Sequence, residues 1–189
     1  MKSYLVNEIF YSFQGEGFWT GIPALFLRLA LCNLKCPFCD TDFSASTPMT
    51  AEEILSSLGK SSKDCRTVVL TGGEPALQTD EALIKVLHKA GYTIHIETNG
   101  TKALPEGIDW ITLSPKSDWL KDAEPVITEA DELKLVYTGQ NPERWLSFNA
   151  KHFFLQPCSQ KNTSEVLAYI LEHPGWRLSL QTHKYFGFR

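Results

Sequence analysis

Cys32, Cys36 and Cys39 fall within eight residues, in the spacing C-x₃-C-x₂-C. One short loop can aim three sulfurs this close in sequence at one point, so the chemistry they offer together is metal binding. Three thiolates also leave a place empty. A four-iron cluster usually takes four cysteine ligands, so three would leave one iron open to an outside ligand. A structural zinc site closes with four ligands of its own. Here the fourth would have to be Cys65, Cys158 or a histidine, and none belongs to a second C-x-x-C hairpin. Residues 1–8 lack the long apolar core of a signal peptide, and the five cysteines are an odd number. Reduced thiols bound to metal are therefore expected rather than a disulfide framework.

Other residues with chemical potential stand at comparable places. The stretch 12–21 is aromatic and rich in glycine, and reads either as an ordinary loop or as a ligand-binding lip that carries Gln14 and Glu16. Arg28 interrupts an apolar run, so it needs an anionic partner, either a structural carboxylate or one on a substrate. Thr71-Gly72-Gly73-Glu74-Pro75 has the residues of a tight turn, but a turn alone has no need of the glutamate.

These groups need strands to carry them. The run 24–31 is nearly continuous in apolar residues, the pattern of a strand buried on both faces of a parallel sheet, and it leads straight into the cysteine loop. Thr67-Val68-Val69-Leu70 does the same for the Gly-Gly loop. Further strands are expected at 4–10, 92–96, 109–113, 133–137, 152–155 and 176–180. A capping box at Thr50-Ala51-Glu52-Glu53 opens a helix with Ile54, Leu55 and Leu58 inward and Gly59 as its stop. Thr79-Asp80 opens a second, Asn141-Pro142 a short third, and Asn162 a fourth with Val166, Leu167, Ile170 and Leu171 inward. Cys65 reads as a strand filler, His88 as a helix-surface residue and His95 as a residue of the core or of a sheet face.

Strand and helix alternate, so the class is α/β, and the reactive loops follow strands at their carboxyl ends, where the active sites of parallel sheets gather. The connections 101–108 and 117–131 lack a helical stripe. A complete eightfold barrel takes roughly 200 residues or more. A chain of 189 residues therefore predicts a partial, open (β/α) barrel with helices missing, in a single domain spanning 1–189. Hydrophobic residues make up 43% and charged ones 21%, a globular balance. No apolar run approaches a membrane span of about 20 residues. The net charge of −4 comes with no basic stripe, so neither membrane nor nucleic acid is an expected partner.

The cysteine loop, with a following strand that ends in Gly72-Gly73-Glu74-Pro75, resembles the radical S-adenosylmethionine (SAM) superfamily, whose signature is C-x₃-C-x₂-C. The resemblance narrows with Phe13-Gln14-Gly15-Glu16-Gly17, Cys39-Asp40-Thr41, Thr71 to Pro75, Glu97-Thr98-Asn99-Gly100-Thr101, Ser114-Pro115-Lys116 and Gln181-Thr182-His183-Lys184. Six motifs in this order, over almost the whole chain, resemble the 7-carboxy-7-deazaguanine synthase family of the queuosine and deazapurine pathway.

That resemblance implies a [4Fe-4S] cluster on Cys32, Cys36 and Cys39, whose open iron takes the methionyl end of SAM. It implies a carbon–nitrogen lyase that contracts 6-carboxy-5,6,7,8-tetrahydropterin to 7-carboxy-7-deazaguanine with loss of ammonia, SAM being regenerated. It implies Mg²⁺ held through Thr41. SAM contacts carry over to Gly73, Glu74, Ser114, Pro115, Lys116 and the segment Gln156-Pro157-Cys158-Ser159. Substrate contacts carry over to Phe13, Gln14, Gly15, Glu16, Arg28, Thr71 and Arg189. A homodimer, a cytoplasmic location and an external electron donor such as flavodoxin follow from the family. Cys158 is not expected as a fourth cluster ligand, since an iron so occupied could not bind SAM. A glycyl-radical activating enzyme would share the cysteine loop but not need 13–17 or Ser114-Pro115-Lys116. A zinc-binding interaction module would leave the Gly-Gly-Glu-Pro loop without a purpose.

Overall fold

The computed structural model describes residues 2–189. Its strands and α-helices follow in the order β1 (Tyr4–Phe13), β2 (Pro23–Leu29), β3 (Thr47–Met49), α1 (Ala51–Ser61), β4 (Thr67–Gly72), α2 (Glu81–Lys89) and β5 (Thr93–Thr98). They continue with β6 (Trp110–Leu113), β7 (Glu129–Tyr137), β8 (Asn149–Pro157), α3 (Thr163–Glu172), β9 (Arg177–Leu178) and α4 (Thr182–Phe186). All nine strands join one sheet in the order β3-β1-β2-β4-β5-β6-β7-β8-β9. β1 runs antiparallel to both β2 and β3. From β2 through β4 to β9 every pair is parallel. β3 and β9 are the two edges, so the barrel stays open, as the partial (β/α) barrel expectation requires.

Alternation along the strands sorts residues to two faces. The outer face of β2, β4 and β5 puts Leu25, Leu27, Leu29, Val68, Leu70, Ile94 and Ile96 in one core with Ile54, Leu58, Leu83 and Leu87 of α1 and α2. A second core joins Leu133, Leu135 and Leu155 to Val166 and Trp176 under α3. The inner face carries Phe10, Ala24, Phe26 and Val69, and then charged and polar residues. Local signals act as the sequence suggests at α1, where Thr50 and Glu53 form both halves of the capping box. At α2 the Asp80 carboxylate accepts from the Leu83 amide. Neither 101–108 nor 117–128 forms an α-helix.

Several local expectations are corrected. Gly59 does not stop α1, which runs on to Ser61 with Ser62 as its cap. Asn141-Pro142 opens only a 3₁₀ turn at Glu143–Ser147. The last strand pairs over Arg177–Leu178 alone, not 176–180. Leu167 and Leu171 are exposed, because Val166, Tyr169 and Ile170 form the face of α3 that meets the sheet. Asn162 does not cap α3 with its side chain. It accepts from the Cys158 amide at 2.9 Å and donates to the Tyr137 carbonyl at 2.9 Å instead. β3 and α4 carry no periodic pattern long enough to announce them.

Candidate active site

A cavity of about 720 Å³ opens at the carboxyl ends of the parallel strands, well within the range of small-molecule sites. The cysteine loop leaves β2, the Gly-Gly loop leaves β4, Ser114 and Lys116 follow β6, and the 157–159 turn follows β8. All of them line it. So do Phe13, Gln14, Gly15, Glu16, Arg28, Thr41, Thr71, Gln156 and Arg189. The structure thus brings together nearly every residue that the motifs single out.

Cys32, Cys36 and Cys39 are free thiols on one wall, the first two half-buried. Burial pushes the thiols of Cys32 and Cys36 up. No three His, Cys, Asp or Glu side chains among the described residues converge on a single-ion site. A four-iron cluster presents a separate iron to each thiolate, so three reduced thiols on one cavity lining suit it. The loop is tied down from outside. Phe38 packs edge-on against Trp119 with ring centroids 4.7 Å apart, and the Asn33 amide donates to Thr101 Oγ1 at 2.8 Å.

The Gly-Gly loop is stitched to the exit of β2. Gly73 N–H donates to the Leu29 carbonyl at 3.1 Å and Glu74 N–H to the Leu31 carbonyl at 2.8 Å. A Cβ at either Gly72 or Gly73 would collide with that backbone. With its N–H so committed, Gly73 lines the cavity without a free amide donor. Glu74 and Pro115, grouped with the SAM contacts above, are not on the cavity wall. Glu74 is only 1% exposed. Its carboxylate accepts from Thr98 Oγ1 at 2.7 Å, Asn99 N–H at 2.7 Å and Ala76 N–H at 2.9 Å. It is a brace between two cavity loops. Lys116 is half-buried, and loss of solvent lowers its ammonium to about 8. Its Nζ donates to the Ser114 carbonyl and hydroxyl at 2.5 and 2.6 Å.

The glycine-rich stretch is a floor and not a lip. Because β1 and β2 are antiparallel, residues 14–22 lie at the amino-terminal end of β2, opposite the cysteine loop. They plug the open barrel from below. Phe18 stacks on Trp110 and His152, and Trp19 packs on His95 and Trp110. Above this plug lies a buried charge cluster. Lys134 Nζ sits 2.7 Å from Glu16 Oε2 and 2.8 Å from Glu97 Oε2, and the Gln14 amide donates to Glu97 at 3.2 Å. Burial works against ionising Glu16, but Lys134, Gln181 and Gln156 outweigh it and hold the carboxyl at about 2. For Glu97 burial wins and its carboxyl is raised. Lys134 is raised, since its three carboxylate neighbours overcome burial. Arg28, which needs an anionic partner, meets the Glu8 carboxylate at 2.8 Å. Arg189 shares that carboxylate and stacks over Phe10.

Glu132 lies beneath the floor, 2% exposed, with Oε2 accepting from the Phe18 amide at 3.0 Å and Oε1 unpartnered. Burial raises its carboxyl to about 7. A folded value above the unfolded one of about 4.3 favours the protonated form. Its contribution to stability is therefore full below about pH 4.3 and is lost as pH rises through 7. Glu132→Gln removes this titration. Urea unfolding should show the variant gaining on the wild type by on the order of 2 kcal/mol between pH 5 and pH 8. A difference independent of pH would show that Glu132 is ionised in the fold at neutral pH.

Comparison with known proteins fits this geometry. Residues 29–119 match the radical SAM superfamily model. The chain is 53% identical to a 7-carboxy-7-deazaguanine synthase of Bacteroides thetaiotaomicron, over 97% of this chain and 98% of the relative. It is 43% identical to the Caulobacter vibrioides protein of the same name, over 98% and 99%. The chain belongs to the 7-carboxy-7-deazaguanine synthase family. The crystal structure of QueE from Escherichia coli superposes with a TM-score of 0.79 at 29% identity, covering 94% of this chain and 93% of that one. Against this family background, the cavity also contains residues that motif reading left without a role. Glu97, Asp40, Gln181, His183 and Lys184 all line it. Lys134, at the centre of the floor, sits in a strand that reads only as apolar alternation. What betrays it is an inward lysine between Leu133 and Leu135, a signal that acquires meaning once three glutamates are seen around it.

Proposed function

We propose that the chain is a Mg²⁺-dependent carbon–nitrogen lyase that converts 6-carboxy-5,6,7,8-tetrahydropterin to 7-carboxy-7-deazaguanine with loss of ammonia. The observation that carries the reading is one cavity walled by the three cysteines, the Gly-Gly loop and the Gln14-Gly15-Glu16 floor, in a chain with full-length relatives of that name. Cys32, Cys36 and Cys39 would hold the [4Fe-4S] cluster. Gly73, Ser114, Lys116 and the 156–159 segment would hold SAM, with Glu74 bracing the loop from behind. When bound, the cluster and SAM would supply the radical chemistry that opens the reaction on the pterin.

The chain's own part is to bind and orient. Glu16 stays ionised at neutral pH, so it accepts hydrogen bonds from the N–H groups of a pterin ring. Gln14, Gly15 and Thr71 line the same space, and Phe13 supplies an apolar flank. Arg28 and Arg189 give the wall positive charge for a substrate carboxylate. Thr41, with Asp42 beside it, offers the hard oxygen donors that Mg²⁺ prefers, leaving room for water and substrate. The single domain of 1–189, the homodimer, the cytoplasmic location and the external electron donor such as flavodoxin belong to the same reading and rest on the family resemblance. No helix among the described residues is long and apolar enough to cross a membrane.

Anaerobic reconstitution tests the function. The protein is given iron, sulfide, SAM, reductant, Mg²⁺ and 6-carboxytetrahydropterin, and products are read by mass spectrometry. 7-Carboxy-7-deazaguanine is the expected product. SAM cleavage to 5′-deoxyadenosine without it would keep the superfamily chemistry and discard the substrate. A second prediction concerns Thr41. Thr41→Ala should flatten the dependence of rate on Mg²⁺ concentration. An unchanged Mg²⁺ curve would reduce Thr41 to a structural residue.

A further inference from the structure

The last nine residues, 181–189, put four side chains on the cavity lining, and as a strap they touch three separate parts of its wall. Thr182 donates its amide and its hydroxyl to the Gly15 carbonyl, each at 2.9 Å. Ser12 Oγ donates to the Arg189 carbonyl at 2.6 Å. Between these anchors stands a polar junction. The Gln181 amide reaches Glu16 Oε1 at 2.9 Å and Asp40 Oδ2 at 3.3 Å. Lys184 Nζ forms an ion pair with Asp40 and donates to Gln181 Oε1 at 2.8 Å and to Ser159 Oγ at 3.4 Å. Asp40 stands between Cys39 and Thr41, so this junction ties the end of the cysteine loop to the floor.

α4 cannot hold itself there. It has five residues, no buried side chain and no side-chain cap. A helix so short does not persist on its own sequence. Its position depends on the contacts that Gln181, Thr182 and Lys184 make.

We propose that Asp40, Gln181 and Lys184 form a clasp that sets the cysteine loop and the substrate floor in one frame, with Asp40 as a positioning residue for the substrate rather than a ligand of the cluster or the cation. The inference rests on the proposed reaction, but the clasp itself is a feature of the protein without ligands. Asp40 acts through Lys184 and Gln181. Removing either end of its ion pair should therefore have the same consequence.

The experiment compares Asp40→Asn, Lys184→Met and the double variant with the wild type. Hydrogen exchange is measured first on the ligand-free protein. Each single variant should speed exchange of the amides at 181–187 about tenfold, with α1 and α2 unchanged. After reconstitution, iron content and the visible spectrum should match the wild type. The KM for the pterin should rise about tenfold while kcat changes little, and the double variant should be no worse than either single one. Loss of iron in Asp40→Asn, a shifted Mg²⁺ requirement, or losses that multiply in the double variant would overturn the clasp and make Asp40 a direct ligand. Unchanged exchange in both single variants would overturn it as well. If the wild type fails to make 7-carboxy-7-deazaguanine, the proposed reaction falls, while the exchange result still decides whether the clasp exists.

Discussion

Cys36→Ala should leave a protein that folds but neither keeps a [4Fe-4S] cluster nor cleaves SAM above background. Its thiol is one of three on a single wall. Two thiolates would remain for four irons, and the cluster already lacks a fourth protein ligand. The loop should survive, because the contacts that hold it in place come from Phe38 on Trp119 and from Asn33 on Thr101, not from the sulfur. Iron analysis and visible absorption read the cluster, and 5′-deoxyadenosine reads the cleavage. Cys158→Ala is the informative control. Its thiol lines the same cavity, yet an occupied fourth iron could not take SAM, so its iron content should equal that of the wild type. A full cluster in Cys36→Ala, or loss of the cluster in Cys158→Ala, would mean that the ligand set has been misassigned.

Lys134→Met should destabilise the fold by roughly 3–5 kcal/mol, the usual consequence of breaking a buried ion pair from one side. For a chain of this length that corresponds to a fall in Tm of roughly 6–20 °C. Lys134 is 5% exposed and bridges Glu16 and Glu97. Methionine fills much of the volume but supplies no charge. Two carboxylates are then left facing one another, with Glu132 nearby, and each resists ionisation. The variant should therefore recover part of its stability on going from pH 8 to pH 5, as the floor takes up protons. It should also lose activity, since Glu16 would no longer be held ionised towards the cavity. Thermal unfolding of the ligand-free protein at the two pH values decides the matter. A variant as stable as the wild type at pH 8 would show that the cluster of charges is hydrated and not a buried network.

Much of this was legible in the residues. The C-x₃-C-x₂-C loop, the Gly-Gly-Glu-Pro loop and their place after apolar strands pointed to one site at one end of a parallel sheet. Local chemistry is what makes such signals readable. A capping box, a run of β-branched residues or a cysteine spacing acts within a few residues, so it leaves a mark in a short window. The absence of helices at 101–108 and 117–131 was readable for the same reason, as was the open barrel expected for so few helices.

Other features were settled only when distant segments met. Gln14 to Gly17 looks like a lip in one dimension. It becomes a floor because β1 and β2 run antiparallel, which sends that loop to the far end of the barrel. Glu74 looks like a contact residue, yet Thr98 and Asn99 approach from the next strand and turn its carboxylate inward. Lys134 is a single lysine in an apolar strand until Glu16, more than a hundred residues earlier, comes to lie against it. α4 exists because Gly15 and Asp40 offer acceptors to a segment too short to be helical by itself. The sequence by itself determined the reactive groups, the strands that carry them and the family of reactions they suit. The tertiary structure alone decided which buried charges face one another, because the strength and even the sign of an electrostatic effect depend on what long-range packing places within a few ångströms and shields from water.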